Sequence, residues 1–165
     1  MPEMLSKAIR IASVAHEGQY DKAGAPYILH PIRVMLMVGN NRSLMAATVL
    51  HDVVEDTEWT LDDLRDEGFN SQVIDAVDAM TRRKVSLSDS NIKENYHQEF
   101  IPRLMKNQFA CIIKMWDLTD NSSTSRLIHL PMDTMQSFIK KYGKTKLALW
   151  ENYVGACMAV YGRVL

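Results

Sequence analysis

Apolar side chains recur along this chain at intervals of three and four residues, the spacing that places them on one face of an α-helix. A first stripe from Met4 to His16 contains Leu5, Ala8, Ile9, Ala12 and Ala15. Similar stripes predict helices over 32–38, from Asn41 or Ser43 to about 54, 60–67, 71–80, 92–105, 109–122, and from Met132 or Asp133 toward Val160. Gly143 and Gly155 leave the continuity of the last helix open. No stretch alternates convincingly between apolar and polar residues, so the sequence predicts an all-α fold.

Two segments interrupt these helical patterns. EGQYDKAGAPY, residues 17–27, contains glycine and proline and is interpreted as a loop. TRRKVSLSDSN, residues 81–91, is polar and is predicted to be mobile, but it is too short to separate two domains. We therefore expect residues 1–165 to form a single domain.

Composition and charge limit the kinds of protein that this chain can be. Its 165 residues are 47% hydrophobic and 24% charged, and the formal net charge is −1, so nothing indicates binding to a nucleic-acid polymer or a membrane. The start resembles no signal peptide, and no apolar run approaches the roughly 20 residues of a membrane span, so we expect a cytoplasmic protein. Cys111 and Cys157 lie in apolar patterns and are interpreted as reduced core residues. Eleven methionines and three tryptophans could cover a core or an interface, which leaves a homo-oligomer open.

The stretch HDVVEDT, residues 51–57, places four metal-binding groups directly after an apolar run. His51 and Glu55 are four residues apart, as are Asp52 and Asp56, and residues at that spacing share a face of a helix. Carboxylates buried beside such a run are costly unless they are paired or bind a metal. For the His-Asp pair alone, helix capping and surface charge are the alternative.

Two further polar residues stand in apolar surroundings. His30 lies between Leu29 and Pro31, and Asp117 interrupts the apolar segment 111–116. For either residue alone, an internal hydrogen bond or a role at a helix end is the simpler explanation.

Taken together, these positions supply a ligand set of two histidines and two aspartates, namely His30, His51, Asp52 and Asp117. Mixed imidazole and carboxylate ligands suit a divalent cation of the manganese or iron type better than Mg²⁺, which favours oxygen. A water bound to such an ion becomes a nucleophile near neutral pH. Glu55 and Asp56 would lie beside the ion, where they could orient that water or act as acid and base.

HEGQYDKAGAPYILHP, HDVVEDT and IIKMWDLTDNSST occur in an order and at gaps that resemble the HD-domain hydrolases of the RelA/SpoT type, over roughly residues 3–150. The resemblance implies a compact helical HD-domain fold around a central Mn²⁺ ion, with the four ligands above and with Glu55 and Asp56 activating the attacking water. Lys22 would face the phosphates of a small phosphorylated nucleotide, and Asn121 and Thr124 match positions that contact the nucleotide. The best-known members remove pyrophosphate from the 3′ position of (p)ppGpp.

The chain departs from the family pattern in two places. Asp21 stands where an arginine is usual, which removes a phosphate clamp and adds repulsion. The third motif has Asp117-Leu-Thr-Asp-Asn121 in place of D-R-L-H-N. Arg126 is the best candidate to replace the lost arginine. The alternatives, for which a solvated surface charge is the simpler explanation, are Arg82, Arg83, Lys84, Lys140 and Lys141.

These departures keep two further hypotheses open. One is an HD phosphohydrolase of another nucleotide, such as a nucleoside monophosphate, a cyclic nucleotide or the 2′-phosphate of NADPH. The other is a non-catalytic module that binds a nucleotide. The intact pair of Glu55 and Asp56 argues against the second hypothesis, because a sensor has no need of residues that activate water.

Overall fold

The structure of the chain, a computed structural model, describes residues 2–83 and 96–162. Its α-helices are α1 (Pro2–Ala15), α2 (Leu29–Met37), α3 (Arg42–Val49), α4 (Val53–Asp56), α5 (Leu61–Asp66), α6 (Ser71–Met80), α7 (Ile101–Met105), α8 (Gln108–Asn121), α9 (Thr124–Leu127) and α10 (Met132–Tyr161). A π-helical turn, Tyr96–Phe100, leads directly into α7. The described residues contain no β-strand beyond one isolated bridge, between Tyr20 and Pro26, so the prediction of an all-α fold is confirmed.

Polar side chains determine where several helices begin. Asn41, Asn70 and Asn107 each accept a hydrogen bond from the backbone N–H three residues further on, at 2.9 to 3.1 Å. Thr60 and Asp63 form a reciprocal capping box at the start of α5. Each cap satisfies a donor that the helix itself cannot, which is worth about 1 kcal/mol per helix.

The core surrounds α8, which packs along α10 and also against α2, α3, α6 and α7. Its apolar residues Ala110, Ile112 and Ile113 are fully buried. Cys111 and Cys157 are free and buried, as the sequence indicates, and burial raises the pKa of the Cys111 thiol to about 11. Because α8 is surrounded on several sides, polar side chains on it must be paired within the fold.

The helix expected from Asn41 or Ser43 to about Val54 is interrupted. It ends at Val49, and residues 50–52 form a turn before α4. In this turn the N–H of His51 bonds to the carbonyl of Thr48, three residues back, at 3.3 Å. The prediction that residues 51–56 lie on one continuous helix is therefore wrong, and the His-Asp pair lies in the turn between two helices.

The remaining differences concern the second half of the chain. α10 runs without interruption through Gly143 and Gly155. Of the helix predicted over 92–105, the described part is the π-helical turn followed by α7. The predictions for the polar segment after position 83, Lys84 included, lie outside the described residues.

Among the helices described, none is both long enough and apolar enough to cross a lipid bilayer.

Candidate metal centre and the adjoining cavity

Four side chains from three separate elements meet inside the fold. His30 is the second residue of α2, the His-Asp pair comes from the turn between α3 and α4, and Asp117 comes from the third turn of α8. Nε2 of His30 lies 3.2 Å from Oδ1 of Asp117 and 3.8 Å from Oδ2 of Asp52. Nε2 of His51 lies 3.1 Å from the same Oδ2 and 3.9 Å from the same Oδ1. The structure thus brings together all four positions that the sequence singles out as metal ligands.

Both imidazoles are oriented by their other ring nitrogen. Nδ1 of His51 lies 2.7 Å from the carbonyl of Thr48, and Nδ1 of His30 lies 2.7 Å from Oδ2 of Asp120. Since a carbonyl and a carboxylate can only accept, each Nδ1 is the donor and carries the proton. Each ring therefore presents Nε2 to the shared centre, as metal-binding histidines do.

Nε2 of His51 is buried and, among the residues that the structure describes, has no hydrogen-bond partner of acceptable geometry. A buried polar atom without a partner costs about 1–3 kcal/mol. A cation between the four side chains would remove that cost, so the donor set fits a divalent ion. Burial opposes a charge on His51, but the neighbouring Asp52 and Asp117 carboxylates and the Thr48 carbonyl together raise its pKa to about 9, so a proton holds part of the positive charge that the site demands.

The two carboxylates of the centre are also held by partners. The Tyr27 hydroxyl donates to Oδ2 of Asp52 at 2.6 Å, and Nζ of Lys114 donates to Oδ2 of Asp117 at 2.8 Å. Burial opposes the charge on Asp117, but the Lys114 ammonium and the histidines hold its pKa far below the usual value. Asn121 donates a further hydrogen bond to Oδ1 of Asp117.

Asp120 supports the centre from behind, and sequence reasoning missed this role. Besides His30 it binds Arg33, which donates from Nε at 2.7 Å and from Nη2 at 3.0 Å. Burial opposes its charge, but the hydrogen bonds from His30 and Arg33 hold its pKa far below the usual value. The available signal was its spacing, because Asp120 follows Asp117 by three residues and so shares its face of α8. The long-range partners Tyr27 and Arg33 left no such local signal.

The two acidic residues of the HDVVEDT stretch that are not in the ligand set lie on α4. Both carboxylate oxygens of Glu55 accept hydrogen bonds from Arg82, a residue that follows α6. Desolvation, together with the charges of Asp52 and Glu55, raises the pKa of Asp56. Asp56 is therefore better suited than an ordinary aspartate to hold a proton.

A cavity of about 370 Å³ adjoins this centre. Its lining includes Tyr27 and Asn121, which contact the two central carboxylates, and it includes three cations, Lys22, Arg82 and Arg126. Its apolar lining consists of Leu127, Leu130, Phe138, Tyr142 and Ala23 with the ring of Tyr20. The volume is that of a small-molecule site, and three cations against one lining carboxylate, Asp21, favour an anionic ligand.

Three of the four residues expected to bind substrate line this cavity. Lys22 lies above the ring of Phe138, with Nζ 5.0 Å from its centroid. Asn121 and Arg126 line the wall beside α8, and Arg126 donates a hydrogen bond to the Asn121 side chain. Thr124 is exposed at the start of α9 and is not among the lining residues.

Asp21, expected to repel phosphate, has its charge balanced within the protein. Its Oδ1 accepts hydrogen bonds from the N–H groups of Ala23 and Ala25, at 2.9 and 3.0 Å, and its Oδ2 pairs with Nε of Arg126 at 3.1 Å. Desolvation opposes its charge, yet these hydrogen bonds lower its pKa. Arg126 also donates to Asp120 at 3.2 Å. The acid in the first loop therefore fixes the loop and engages Arg126, which the sequence alone did not indicate.

The chain is similar to several known proteins. A family model described as "HD domain" matches residues 8–105. A guanosine-3′,5′-bis(diphosphate) 3′-pyrophosphohydrolase of Haemophilus influenzae is 33% identical over 120 residues, which are 69% of this chain and 17% of that protein. Its counterpart in Borreliella burgdorferi is 32% identical over 151 residues, which are 88% of this chain and 22% of that protein. A GTP pyrophosphokinase of Streptomyces coelicolor is 33% identical over 128 residues, which are 75% of this chain and 15% of that protein.

The fold has a counterpart among solved structures. A metazoan ortholog of SpoT, described as hydrolysing ppGpp and acting in starvation responses, matches with a TM-score of 0.67 and 24% identity. The match covers 93% of this chain and 84% of the other, and it shows the shared fold. The chain spans only 15 to 22% of the length of the three curated relatives named above.

Proposed function

The chain belongs to the HD-domain family, and on that premise we propose that it is a metal-dependent phosphohydrolase that removes pyrophosphate from the 3′ position of (p)ppGpp. One observation carries the proposal: two histidines and two aspartates converge beside a cavity lined by three cations. The names of the Haemophilus and Borreliella relatives favour this substrate over other phosphorylated nucleotides.

The proposed metal ligands are His30, His51, Asp52 and Asp117. Nitrogen and oxygen ligands in equal number favour Mn²⁺ within the wider class of divalent ions. When bound, such an ion supplies the Lewis acidity that makes a water nucleophilic near neutral pH. The protein's own contribution is to hold both imidazoles by Nδ1 and both carboxylates by Tyr27 and Lys114, so that little rearrangement accompanies binding.

Glu55 and Asp56 are the proposed catalytic residues. Glu55 orients the attacking water and accepts its proton, while Asp56, with its raised pKa, holds a proton close to the reacting phosphate. Both lie on α4, directly after the turn that carries two proposed ligands, so one short helix fixes them relative to His51 and Asp52.

The proposed substrate-binding residues are Lys22, Asn121, Thr124 and Arg126. Lys22 and Arg126 line the cavity and would neutralise phosphate charge, and the Asn121 side chain bonds to both Arg126 and Asp117. Thr124 stays a prediction that the cavity lining does not support. Tyr142, Phe138 and the leucines of the lining provide an apolar surface for a base or ribose.

A second candidate is an HD phosphohydrolase of another nucleotide, for instance a nucleoside monophosphate, a cyclic nucleotide or the 2′-phosphate of NADPH. The observation in its favour is the engagement of Arg126 by Asp21 and Asp120, which leaves fewer free cations for a substrate with two pyrophosphate groups. A non-catalytic nucleotide-binding module would not need Glu55 and Asp56 next to the ligand set.

The proposal takes residues 1–165 as one HD domain that binds a small phosphorylated nucleotide and no nucleic-acid polymer. The cytoplasmic location and the homo-oligomer remain predictions from the sequence.

The test is a product screen with manganese-loaded protein against ppGpp, NADPH and common nucleotides. Release of pyrophosphate from ppGpp, absent from an Asp52→Ala control, is the expected result. Silence on ppGpp together with phosphate released from another nucleotide would support the second candidate. No metal-dependent turnover of any substrate would contradict both and support the binding module.

A further inference from the structure

A single residue, Arg82, occupies both oxygens of the Glu55 carboxylate. Its backbone N–H donates to Oε2 at 2.8 Å, its Nε donates to Oε1 at 2.7 Å, and its Nη2 also donates to Oε1. The Glu55 side chain is 15% exposed, whereas the Arg82 side chain is 60% exposed. Glu55, the proposed proton acceptor, is therefore held by the backbone N–H of Arg82 and, separately, by its charged guanidinium.

The position of the Arg82 backbone N–H is fixed by the fold, whereas that of the guanidinium is not. The N–H of Arg82 follows directly on the end of α6, where the Thr81 N–H bonds to the carbonyl of Val77 at 2.9 Å and Met80 is buried in the core. The guanidinium sits at the end of a long side chain that is mostly in solvent. Because the guanidinium is 60% exposed, solvent weakens its attraction to Glu55, so another anion can take the place of Glu55.

The anion that can take its place would bind in the adjoining cavity. Arg82 lines that cavity together with Lys22 and Arg126. A phosphate offers two oxygens to the planar guanidinium, as a carboxylate does, and often with more negative charge. An incoming phosphate and Glu55 therefore compete for the same N–H donors.

We propose that Arg82 is a positioning residue shared in turn between Glu55 and the substrate. The substrate phosphate takes the guanidinium from Oε1 of Glu55, while the backbone N–H of Arg82 keeps Oε2 in place. Glu55 thus remains oriented, but one of its oxygens becomes free only when a phosphate is bound. This inference rests on the proposed function and adds an order of events to it.

The exchange can be tested by binding alone, without turnover. Wild type, Glu55→Gln, Arg82→Gln and the double variant are titrated calorimetrically with ppGpp in EDTA, so that no protein hydrolyses it. Because the neutral amide competes poorly for the guanidinium, Glu55→Gln should bind ppGpp about three- to tenfold more tightly than wild type. Arg82→Gln should bind more weakly than wild type, and adding Glu55→Gln to it should give no gain in affinity.

Two further variants separate the exchange from other causes. Arg83→Gln is the matched control, because Arg83 is the next residue, is 64% exposed and is not among the cavity-lining residues, so the gain from Glu55→Gln should persist in its background. Arg82→Lys keeps the positive charge. In its background Glu55→Gln should again raise the affinity for ppGpp, by less than it does with Arg82 present. Circular dichroism and thermal unfolding verify that each protein is folded, and Glu55→Ala replaces Glu55→Gln if that variant is not.

The outcomes distinguish the inference from the proposed function. Equal affinity of wild type and Glu55→Gln, or a gain that survives in the Arg82→Gln background, would overturn the exchange while leaving ppGpp as a ligand. If no protein in the set bound ppGpp, both the proposed substrate and the exchange built on it would fall.

Discussion

The buried centre and the rim of the cavity treat charge in opposite ways. At the centre the charged groups have close partners: Arg33 donates to Asp120 behind His30, and the largely buried Lys114 donates to Asp117. At the rim Lys22 is exposed, and Arg82, whose side chain is 60% exposed, pairs with the mostly buried Glu55 carboxylate from the solvent side.

This difference follows from the energetics of ion pairs. Removing one partner of a buried pair costs about 3–5 kcal/mol, so buried charges must have fixed partners. Exposed pairs contribute about 0–1 kcal/mol, so they can be exchanged without loss of the fold. The centre is thus organised before any ligand arrives, whereas the rim is able to change partners when a ligand binds. Four substitutions, from the largest expected effect to the smallest, test this difference between centre and rim.

The largest effect is expected for Asp117→Asn at the centre. The change leaves the Lys114 ammonium facing a neutral amide and removes a proposed metal ligand. The free energy of unfolding should fall by about 3 kcal/mol, and bound manganese should be lost. Urea denaturation and elemental analysis measure the two effects, with Asp133→Asn on the surface as the control. Retained manganese at wild-type stoichiometry would remove Asp117 from the ligand set.

Asp120→Asn tests whether the carboxylate that accepts a hydrogen bond from His30 contributes to manganese affinity. The amide still accepts from the imidazole but no longer carries the charge that both arginines neutralise. Manganese affinity should fall about 10- to 100-fold. A competition titration with a coloured chelator gives the value. An unchanged affinity would mean that His30 is oriented without help from this carboxylate.

At the rim, Lys22→Gln should change substrate binding and little else. Within the described residues no carboxylate pairs with Lys22, so its charge is available to a phosphate. The KM for ppGpp should rise roughly tenfold while kcat stays within about a factor of two. Steady-state kinetics against Lys140→Gln, a surface lysine outside the cavity lining, make the comparison. A fall in kcat alone would place Lys22 in the chemistry instead of in binding.

The smallest effect is expected for Asp21→Asn, and it depends on pH. The folded-state pKa of Asp21 is lowered, below the unfolded value of about 3.9, so its ionised form stabilises the fold above that pH. The variant should be less stable by about 1 kcal/mol at pH 7, and the difference should shrink as the pH falls through the folded-state pKa. Unfolding of metal-free protein at pH 7 and pH 3, with Asp75→Asn as control, tests this. A difference that does not vary with pH would exclude the Asp21–Arg126 pair as its source.

The ligand positions could be predicted from the sequence because each polar residue interrupts an apolar run. Their arrangement could not be predicted, because the helical pattern of apolar residues continues through residues 50–52 although the helix itself is interrupted there. Neighbouring residues on a helix diverge by about 100°, whereas in this turn His51 and Asp52 both reach the shared centre.

The supporting residues were harder to predict for a different reason. Asp120 is 90 positions away from His30, and Tyr27 is 25 positions from Asp52, so no local pattern connects them. The family pattern even marked Asp120 as a departure. The continuity of α10 was open for a related reason, since glycine costs about 1 kcal/mol in a helix and packing against α8, which offsets it, is a tertiary effect.

The wide spacing of the four proposed ligands along the chain has a thermodynamic consequence. Because they lie at positions 30, 51, 52 and 117, no short segment carries the set, and the unfolded chain cannot present it. An ion that binds only the native state adds its binding free energy to stability, about 2.7 kcal/mol at a hundred times its Kd. The midpoint of thermal unfolding should then shift with the concentration of free ion, so metal supply would govern the amount of folded protein as well as its chemistry.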